Sequence, residues 1–218
     1  MATEQVDIIK EYFPEISARQ QEQFAMLRAL YDDWNAKINV ISRADTGNLY
    51  VRHVLHSLAI AKFLGNLADG TTIMDLGTGG GFPGIPLAIF YPQCSFHLID
   101  RIGKKIRVAQ EVAAATGLTN VTFRHGDSGE CHEKYDYVVS RAVMSLDALV
   151  KACAKNIVAR PDHRNTYAPG LVCLKGGDLN DEIRAAHRPV TEIAITDFFS
   201  DPFFDTKKIV YVKLCSSC

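Results

Sequence analysis

The sequence lacks any long apolar run. Its apolar stretches fall well short of the roughly 20 residues that a helix needs to cross a bilayer. The first residues, MATEQVDIIKEYFPE, do not have the basic-then-apolar layout of a secretory signal. Internal repeats and low-complexity tracts are also absent. We therefore expect a cytoplasmic protein with no membrane partner.

The sequence also lacks an excess of charge of either sign. Its 218 residues include 24 Lys and Arg against 25 Asp and Glu, which leaves a net charge of -1. No overall field therefore draws the protein to nucleic acid, and any affinity for RNA has to come from a local patch. Hydrophobic residues make up 47% of the chain and charged residues 22%. These fractions are usual for a globular domain and exclude a disordered or fibrous chain.

Cysteine pairs with metal-binding or redox spacing are scarce. Six cysteines are scattered through apolar or strand-like segments, as expected for buried thiols in a reducing compartment. Only Cys215 and Cys218 have CxxC spacing, and neither a second pair nor a nearby histidine accompanies them. We expect a frayed tail there, and no metal in the protein.

Two different patterns divide the chain. Residues 1–66 are predicted to be helical, with Ser17 as the cap of one helix and a second helix over about 48–63. From Thr71 onward, apolar strand-like segments alternate with helical ones, and the polar residues 158–170 are predicted to form an exposed loop. This alternation predicts a doubly wound α/β fold with a mostly parallel seven-stranded sheet, a Rossmann-like domain over residues 67–218. The helices of residues 1–66 are expected to pack on it as an N-terminal extension.

A glycine-rich stretch, MDLGTGGGFPGIPLA, lies where the first predicted strand turns into a helix. Ligands bind at this turn in doubly wound folds. Gly77, Gly79 and Gly81 fit the pattern G-x-G-x-G, and glycine lets a ligand rest against the main chain. Pro83 and Pro86 fit a first helical turn, where N–H groups have no intrahelical partner. The pattern alone is also compatible with a tight turn that binds nothing.

Two carboxylates near this loop narrow the choice of ligand. Asp100 ends the second strand about 20 residues downstream, where an acidic side chain can accept both hydroxyls of an adenosine ribose. Asp75 stands directly before the loop, where it would repel a pyrophosphate. S-adenosylmethionine has no phosphate, and its sulfonium and ammonium groups favour an acidic neighbour. We therefore predict S-adenosylmethionine as the cofactor.

The end of the fourth predicted strand, SRAVMSL, lacks the Asn/Asp-Pro-Pro-aromatic motif of enzymes that methylate exocyclic amino groups. No cysteine is placed to act as the nucleophile of pyrimidine C5 methylation either. Five motifs instead resemble one family: DLGTGGGFPGIPLA, VRH (51–53), GKKIR (103–107), SRAV (140–143) and LKG (174–176). Because these motifs follow one another along the chain in the same order as in that family, the chain resembles the bacterial ribosomal RNA small-subunit methyltransferase G family, also called glucose-inhibited division protein B.

The resemblance implies a class I methyltransferase that transfers a methyl group from S-adenosylmethionine to N7 of a guanosine in the decoding region of 16S ribosomal RNA. The partner is then 16S ribosomal RNA or the small ribosomal subunit, and we expect the enzyme to be a monomer. Guanine N7 offers a lone pair and loses no proton on methylation. The reaction therefore needs positioning of the base rather than a general base.

The resemblance also implies which residues form the site. Arg141, from the SRA motif, is expected to be the catalytic residue that orders the cofactor and the target base. Gly77 and Phe82 correspond to cofactor contacts, and Ser128 and Gly129 are expected to border the adenine. The complete predicted cofactor-binding set is Asp75, Gly77, Thr78, Gly79, Phe82, Asp100, Arg101, Asp127, Ser128, Gly129 and Arg141.

Two positions depart from the family pattern. Asp127 stands where the family usually has an arginine, so the role of that arginine does not transfer. Asp127 is expected to accept the adenine amino group instead. His56 stands where the family commonly has an aspartate, which predicts a more basic second helix.

A basic patch around the cleft is the candidate RNA contact. Arg52 and His53 are neighbours on the second helix, together with His56. His53 fits a packing role between helices equally well. The residues predicted to bind RNA are Arg52, His53, Lys104, Lys105 and Lys175, and Arg43, Arg101 and Arg107 extend the same patch.

Three other functions stay open at this point. A methyltransferase acting on a small molecule would use the N-terminal helices as a lid. A nicotinamide-dependent oxidoreductase would need G-x-G-x-x-G, which Gly77, Gly79 and Gly84 satisfy only with the wrong spacing. A protein that binds the cofactor without turnover is the third.

Overall fold

A seven-stranded sheet forms the centre of the protein. The computed structural model describes residues 2–38, 40–41, 45–141, 143–159 and 164–215, so Arg43 and Cys218 lie outside the described residues. The order across the sheet is β3-β2-β1-β4-β5-β7-β6, and β7 alone runs opposite to the other six strands. The predicted doubly wound, mostly parallel fold is confirmed. The strands are β1 (Thr72–Leu76), β2 (Ser95–Asp100), β3 (Val121–His125), β4 (Tyr137–Arg141), β5 (Gly170–Gly176), β6 (Thr191–Ala194) and β7 (Lys207–Lys213).

Helices cover both faces of the sheet. Because successive side chains of a strand point to opposite faces, Ile73 joins the buried cluster under α2 to α5, whereas Met74 joins the one under α6 and α7. No helix in the described ranges is long and apolar enough to cross a membrane. The helices are α1 (Ala2–Tyr12), α2 (Ala18–Lys37), α3 (His56–Leu64), α4 (Gly84–Phe90), α5 (Gly103–Ala115), α6 (Leu146–Cys153) and α7 (Asn180–Ala186).

The N-terminal helices share their core with the sheet. As predicted, Ser17 caps α2: its hydroxyl accepts the Gln20 N–H, and the Gln20 side chain accepts the Ser17 N–H at 2.8 Å. Helix α3 packs against α4, β5 and β7, so its buried side chains belong to the same cluster as those of α4 and α5. A domain boundary at residue 66 stays a prediction.

The segment predicted as one helix over 48–63 has three parts. A single 3₁₀ turn, Thr46–Asn48, leads into a π-helical stretch, Tyr50–Leu55, and the α-helix begins only at His56. Apolar spacing over six residues does not separate π from α geometry, so the sequence pattern missed this change. π-helical turns are frequent at functional sites. This one carries Arg52 and His53.

The polar loop before β5 lies at the opposite end of the sheet from the glycine loop. Its described part is anchored there, since Asn165 Oδ1 accepts the Ala68 N–H at 2.8 Å and Tyr211 Oη donates to the Ala168 carbonyl at 2.7 Å. Pro169 is buried, although the loop was predicted to be exposed. The five described cysteines are buried and unpaired, as the sequence predicted.

Candidate active site

A cavity of about 790 Å³ opens at the carboxyl ends of the parallel strands. These ends meet at one edge because β1, β2 and β4 run in the same direction. The volume lies within the roughly 300–1,000 Å³ of small-molecule sites. The cavity is lined by Val40, Leu76, Gly77, Thr78, Gly79, Gly80, Phe82, Ile99, Asp100, Arg101, Ile102, Lys105, Gly126, Ser128, Arg141, Val143 and Met144.

Asp100 holds the inner side of the glycine loop. Its Oδ2 accepts the Gly79 N–H and its Oδ1 accepts the Ile102 N–H, both at 2.8 Å. Gly79 has a φ of +58°, which a residue with a side chain rarely adopts. A carboxylate has about four acceptor positions, and these two bonds occupy two of them. Asp100 therefore retains acceptor capacity on each oxygen for a ligand in the cavity.

Helix α2 holds the outer side of the loop. Tyr31 Oη donates to the Gly80 carbonyl at 2.8 Å. A Cβ atom at Gly80 would lie 1.9 Å from Val40 Cγ1, so only glycine fits there. Neither Tyr31 nor Val40 belongs to the site set predicted from the sequence, because the hydroxyl partner of Tyr31 lies 49 residues away and no local pattern indicates it.

Phe82 and Arg141 meet in the wall of the cavity. The Arg141 Cζ lies 5.1 Å from the centroid of the buried Phe82 ring, and Tyr31 packs on the same ring at 4.7 Å. Burial lowers the pKa of Arg141 to about 10, so the guanidinium stays charged at neutral pH. Gly77, Phe82 and Arg141, which the sequence predicted to share one site, all line this cavity, and their contact with a cofactor stays a prediction.

His53 contacts this pair from the π-helical turn. Its Nδ1 lies 3.2 Å from Arg141 Nη2, and its ring centroid is 5.2 Å from that of Phe82. A guanidinium only donates, so Nδ1 accepts and the proton of the neutral ring is on Nε2. Burial, followed by the Arg141 charge, lowers the pKa of His53 to about 3. His53 is therefore a neutral neighbour of Arg141 and not a cationic RNA contact, which corrects that prediction.

Apolar side chains form the walls that face the loop. Among the described residues, only three large hydrophobic side chains are classed as exposed, and two of them, Ile102 (42%) and Val143 (40%), line this cavity. Exposed apolar surface inside a cleft is typical of ligand sites. Ile102, Val143 and Met144 were not predicted from the sequence, since isolated apolar residues in loops carry no periodic signal.

Asp75 does not line the cavity. The alternation of β1 places its side chain on the face covered by α4, where Oδ2 accepts the Gly84 N–H at 2.7 Å. Burial raises the pKa of Asp75 to about 7, against the opposing effects of the Thr78 hydroxyl and the Gly84 N–H. The predicted attraction between a fully ionised Asp75 and a cationic ligand is therefore not what the geometry supports. Asp75 instead stabilises the start of α4.

The turn after β3 brings only part of its predicted set to the cavity. Ser128 lines it, whereas Asp127 and Gly129 do not. Asp127 forms an ion pair with Arg101 and accepts the Gly129 N–H at 2.7 Å. The Gly129 N–H first, and Arg101 in addition, lower the pKa of Asp127. Asp127 therefore fixes the turn and the position of Arg101. Its contact with an adenine amino group stays a prediction.

The predicted basic patch is only partly present. Lys104 is exposed on α5, and Lys105 lines the cavity. Lys175 is different: its side chain is 7% exposed, and its Nζ binds Glu182 Oε2 at 2.5 Å and the Met144 carbonyl at 2.8 Å. The prediction that Lys175 contacts RNA is therefore wrong, because that charge is already paired inside the fold.

His56 also departs from its prediction. It is buried against Phe203 and Phe204, and burial together with nearby cations lowers its pKa well below the usual range. His56 therefore does not make the helix predicted over residues 48–63 more basic.

The sequence and the fold both match known methyltransferases. A family model described as rRNA small subunit methyltransferase G matches residues 20–200. A protein of Bacteroides thetaiotaomicron named ribosomal RNA small subunit methyltransferase G is 54% identical, over 96% of this chain and 100% of that protein. The Porphyromonas gingivalis protein of the same name is 52% identical over 95% of this chain and 93% of its own length.

A solved structure extends the similarity of fold. The magnesium protoporphyrin IX methyltransferase from Synechocystis, solved with bound S-adenosylmethionine, superposes with a TM-score of 0.59. It covers 96% of this chain and 97% of its own at 17% identity, which is a likeness of fold alone.

Replacing Asp75 by asparagine should change how stability depends on pH. Between about pH 4 and 7 the folded wild type binds a proton that the unfolded chain has released, so its stability falls as the pH rises through this window. Asparagine does not titrate. We expect the stability of Asp75→Asn relative to wild type to increase by up to about 1.4 kcal/mol per pH unit between pH 5 and 7, measured by urea unfolding. A difference that does not vary with pH would contradict this.

His53 should remain neutral far below the pH at which free histidine titrates. We expect its ring nitrogens, observed by long-range ¹H–¹⁵N NMR, to keep the shifts of the Nε2–H tautomer down to pH 5, with a histidine peptide in the same buffer as reference. Arg141→Met removes a positive neighbour and should raise the pKa of His53. Protonation of His53 near pH 6 in the wild type would contradict the assignment.

Proposed function

Since the chain belongs to the rRNA small subunit methyltransferase G family, we propose that it transfers a methyl group from S-adenosylmethionine to N7 of a guanosine in 16S ribosomal RNA. The family predicted from the sequence motifs is confirmed, and with it the prediction of an rRNA methyltransferase. A family match over residues 20–200 carries the proposal, and the cavity at the glycine loop gives it a site. The nicotinamide-dependent alternative has no comparable support.

The residues of the cavity fit S-adenosylmethionine. The remaining acceptor positions of Asp100 suit the two hydroxyls of a ribose. The exposed apolar side chains of Ile102 and Val143 suit a flat purine, and the bare backbone around Gly79 lets a ligand approach closely. S-adenosylmethionine, when bound, supplies a methyl group on a sulfonium that is ready for displacement.

The proposed roles follow the places of these residues. Asp100 binds the ribose, the backbone of Gly77 and Gly79 borders the amino-acid end, and Ser128 borders the adenine, as the resemblance predicted. Arg141 and Phe82 form the end of the cavity nearest the acceptor. Asp75 and Asp127 shape the site from outside, through the start of α4 and the turn after β3.

Arg141 is proposed to orient the guanine. A guanidinium can donate to guanine O6, which would leave the N7 lone pair directed at the methyl group. His53 and Phe82 keep the guanidinium in one place, since His53 accepts a hydrogen bond from it and the Phe82 ring attracts its charge. N7 releases no proton, so the work of the site is to hold the two reactants at attack distance. Extruding the base from its stack would make N7 reachable.

The partner and the place of action follow from the substrate. An rRNA methyltransferase acts on ribosomal RNA, and we infer 16S ribosomal RNA or the small ribosomal subunit as the specific partner. We further infer that the enzyme works in the cytoplasm, as a monomer, without a metal. Lys105 lines the cavity, Lys104 is exposed on α5, and Arg52 is half-buried in the π-helical stretch. These three are the described members of the predicted RNA-binding set that keep this proposed role.

Asp100→Ala should weaken cofactor binding at least tenfold. The loss of hydrogen bonds to a charged acceptor costs about 1.5–3 kcal/mol each, and about 1.4 kcal/mol corresponds to a factor of ten. Calorimetry with S-adenosylhomocysteine measures the effect. Asp147→Ala removes a carboxylate outside the cavity and serves as the control. Equal affinities in all three proteins would remove Asp100 from the site.

Arg141→Ala should abolish methyl transfer while the protein stays folded and still binds S-adenosylhomocysteine. The assay incubates the enzyme with labelled S-adenosylmethionine and small ribosomal subunits that lack the modification, and then locates the label by nuclease digestion and mass spectrometry. We expect 7-methylguanosine in 16S ribosomal RNA with the wild type. A label on another atom would contradict the proposed reaction, and normal turnover by Arg141→Ala would remove its role.

A further inference from the structure

The start of β7 lies at the same edge of the sheet as the candidate active site. Arg141, at the end of β4, is in register with Leu174 of β5, and Lys207 is in register with Gly176 at the end of that strand. Two strand spacings and two residue rises put the backbone of Lys207 roughly 12 Å from that of Arg141. Lys207 is thus close enough to meet an RNA strand whose guanine reaches Arg141.

Phe203 brings two cations from distant parts of the chain together. Its ring lies in the 3₁₀ turn Pro202–Phe204, which Asp201 caps by accepting the Phe203 N–H at 2.8 Å. Arg52 Cζ lies 5.5 Å from the ring centroid, and Lys207 Nζ lies 5.1 Å from it. Cations at these distances are attracted to the ring face. Arg52, Phe203 and Lys207 are called the β7-edge cluster below.

Inside the fold, the charge of Lys207 interacts with the Phe203 ring but with no opposite charge among the described residues. Among the described residues no carboxylate forms an ion pair with it, whereas Arg52 pairs with Asp45 at 2.6 Å. The neighbouring Lys208 pairs with Glu192 at 3.0 Å, on the opposite face of β7. A half-buried ammonium loses part of its hydration, and without a carboxylate no ion pair compensates this loss of free energy. The contrast between Lys207 and Lys208 indicates a partner outside the protein.

The end of β5 also leaves room for this lysine. A Cβ atom at Gly176 would lie 3.3 Å from both Cδ and Nζ of Lys207 and 3.1 Å from the Thr206 carbonyl. The absence of a side chain at Gly176 therefore lets the Lys207 side chain lie across the strand end. Phe203 on one side and Gly176 on the other fix where the ammonium is presented.

We propose that the β7-edge cluster binds a backbone phosphate of the RNA strand beside the guanosine that is methylated. This inference rests on the proposed function, of which it names a substrate contact. Lys207 supplies an ammonium without a carboxylate partner. Arg52 is held over the same ring, and although its Nη1 pairs with Asp45, its side chain is 38% exposed and keeps further N–H groups of a planar donor that pairs readily with phosphate oxygens. Phe203 is a positioning residue, because it holds both cations without contacting phosphate.

The test compares Lys207→Ala with Lys208→Ala, its neighbour on the other face of the strand. Methyl transfer to unmodified small ribosomal subunits is measured at several salt concentrations, and S-adenosylhomocysteine binding is measured by calorimetry. We expect Lys207→Ala to raise KM for the subunits at least threefold with unchanged cofactor affinity. The slope of log(1/KM) against log[salt] should become less steep by about 0.7–0.9, the value for one lost phosphate contact. Lys208→Ala should match the wild type.

Phe203→Leu keeps an apolar side chain but removes the ring face. It should give a smaller rise in KM than Lys207→Ala, again without a change in cofactor affinity. If Lys207→Ala has the KM and salt slope of Lys208→Ala, the inference is overturned while the proposed function stands. If the wild type does not methylate the subunits at all, the proposed function itself fails.

Discussion

Two hydrogen bonds hold the glycine loop in its shape, one from each side, and the rest of the site depends on them. Asp100 binds the Gly79 N–H from the sheet, and Tyr31 binds the Gly80 carbonyl from α2. Both contacts are made by the protein alone. The cavity is therefore pre-formed, which lowers the ordering cost that ligand binding would otherwise carry.

Tyr31 also connects the N-terminal helices to the residues that are proposed to act in methyl transfer. Tyr31 packs on the ring of Phe82, and the Arg141 guanidinium lies over the same ring. His53 accepts a hydrogen bond from that guanidinium. Residues from α2, the π-helical turn, the loop and β4 thus meet around one aromatic ring. A helical segment that could have served only as a cover instead fixes the position of the residue proposed to orient the acceptor base.

The fold was predictable because its signals are local. Alternating apolar strands and helices, the glycine spacing and the Ser17 cap each lie within one short window, and the fold that they predicted is the one observed. The position of Asp100 at the cavity was also predictable, since strand ends at the carboxyl edge of such a sheet lie beside the ligand site. Asp75 was misplaced because the side to which a strand residue points depends on register, which the sequence does not state.

Contacts that depend on how the helices and strands pack account for the features that were not predicted. The partner of Lys175, Glu182, is near in sequence but on a helix of unknown orientation, and the hydroxyl bond of Tyr31 spans 49 positions. The Phe203 ring, which Arg52 and Lys207 both contact, connects the π-helical stretch to β7. Counting these charges from sequence predicted a broad basic patch, whereas the fold pairs or buries several of its members.

A crystal structure with S-adenosylhomocysteine tests the central claim most directly. The ribose hydroxyls should lie within hydrogen-bond distance of the Asp100 carboxylate, the adenine beside Ile102, and the sulfur toward Arg141, with the loop little changed. Binding elsewhere, such as the smaller pocket beside Thr72 and Tyr135 at the other end of the sheet, would contradict the account.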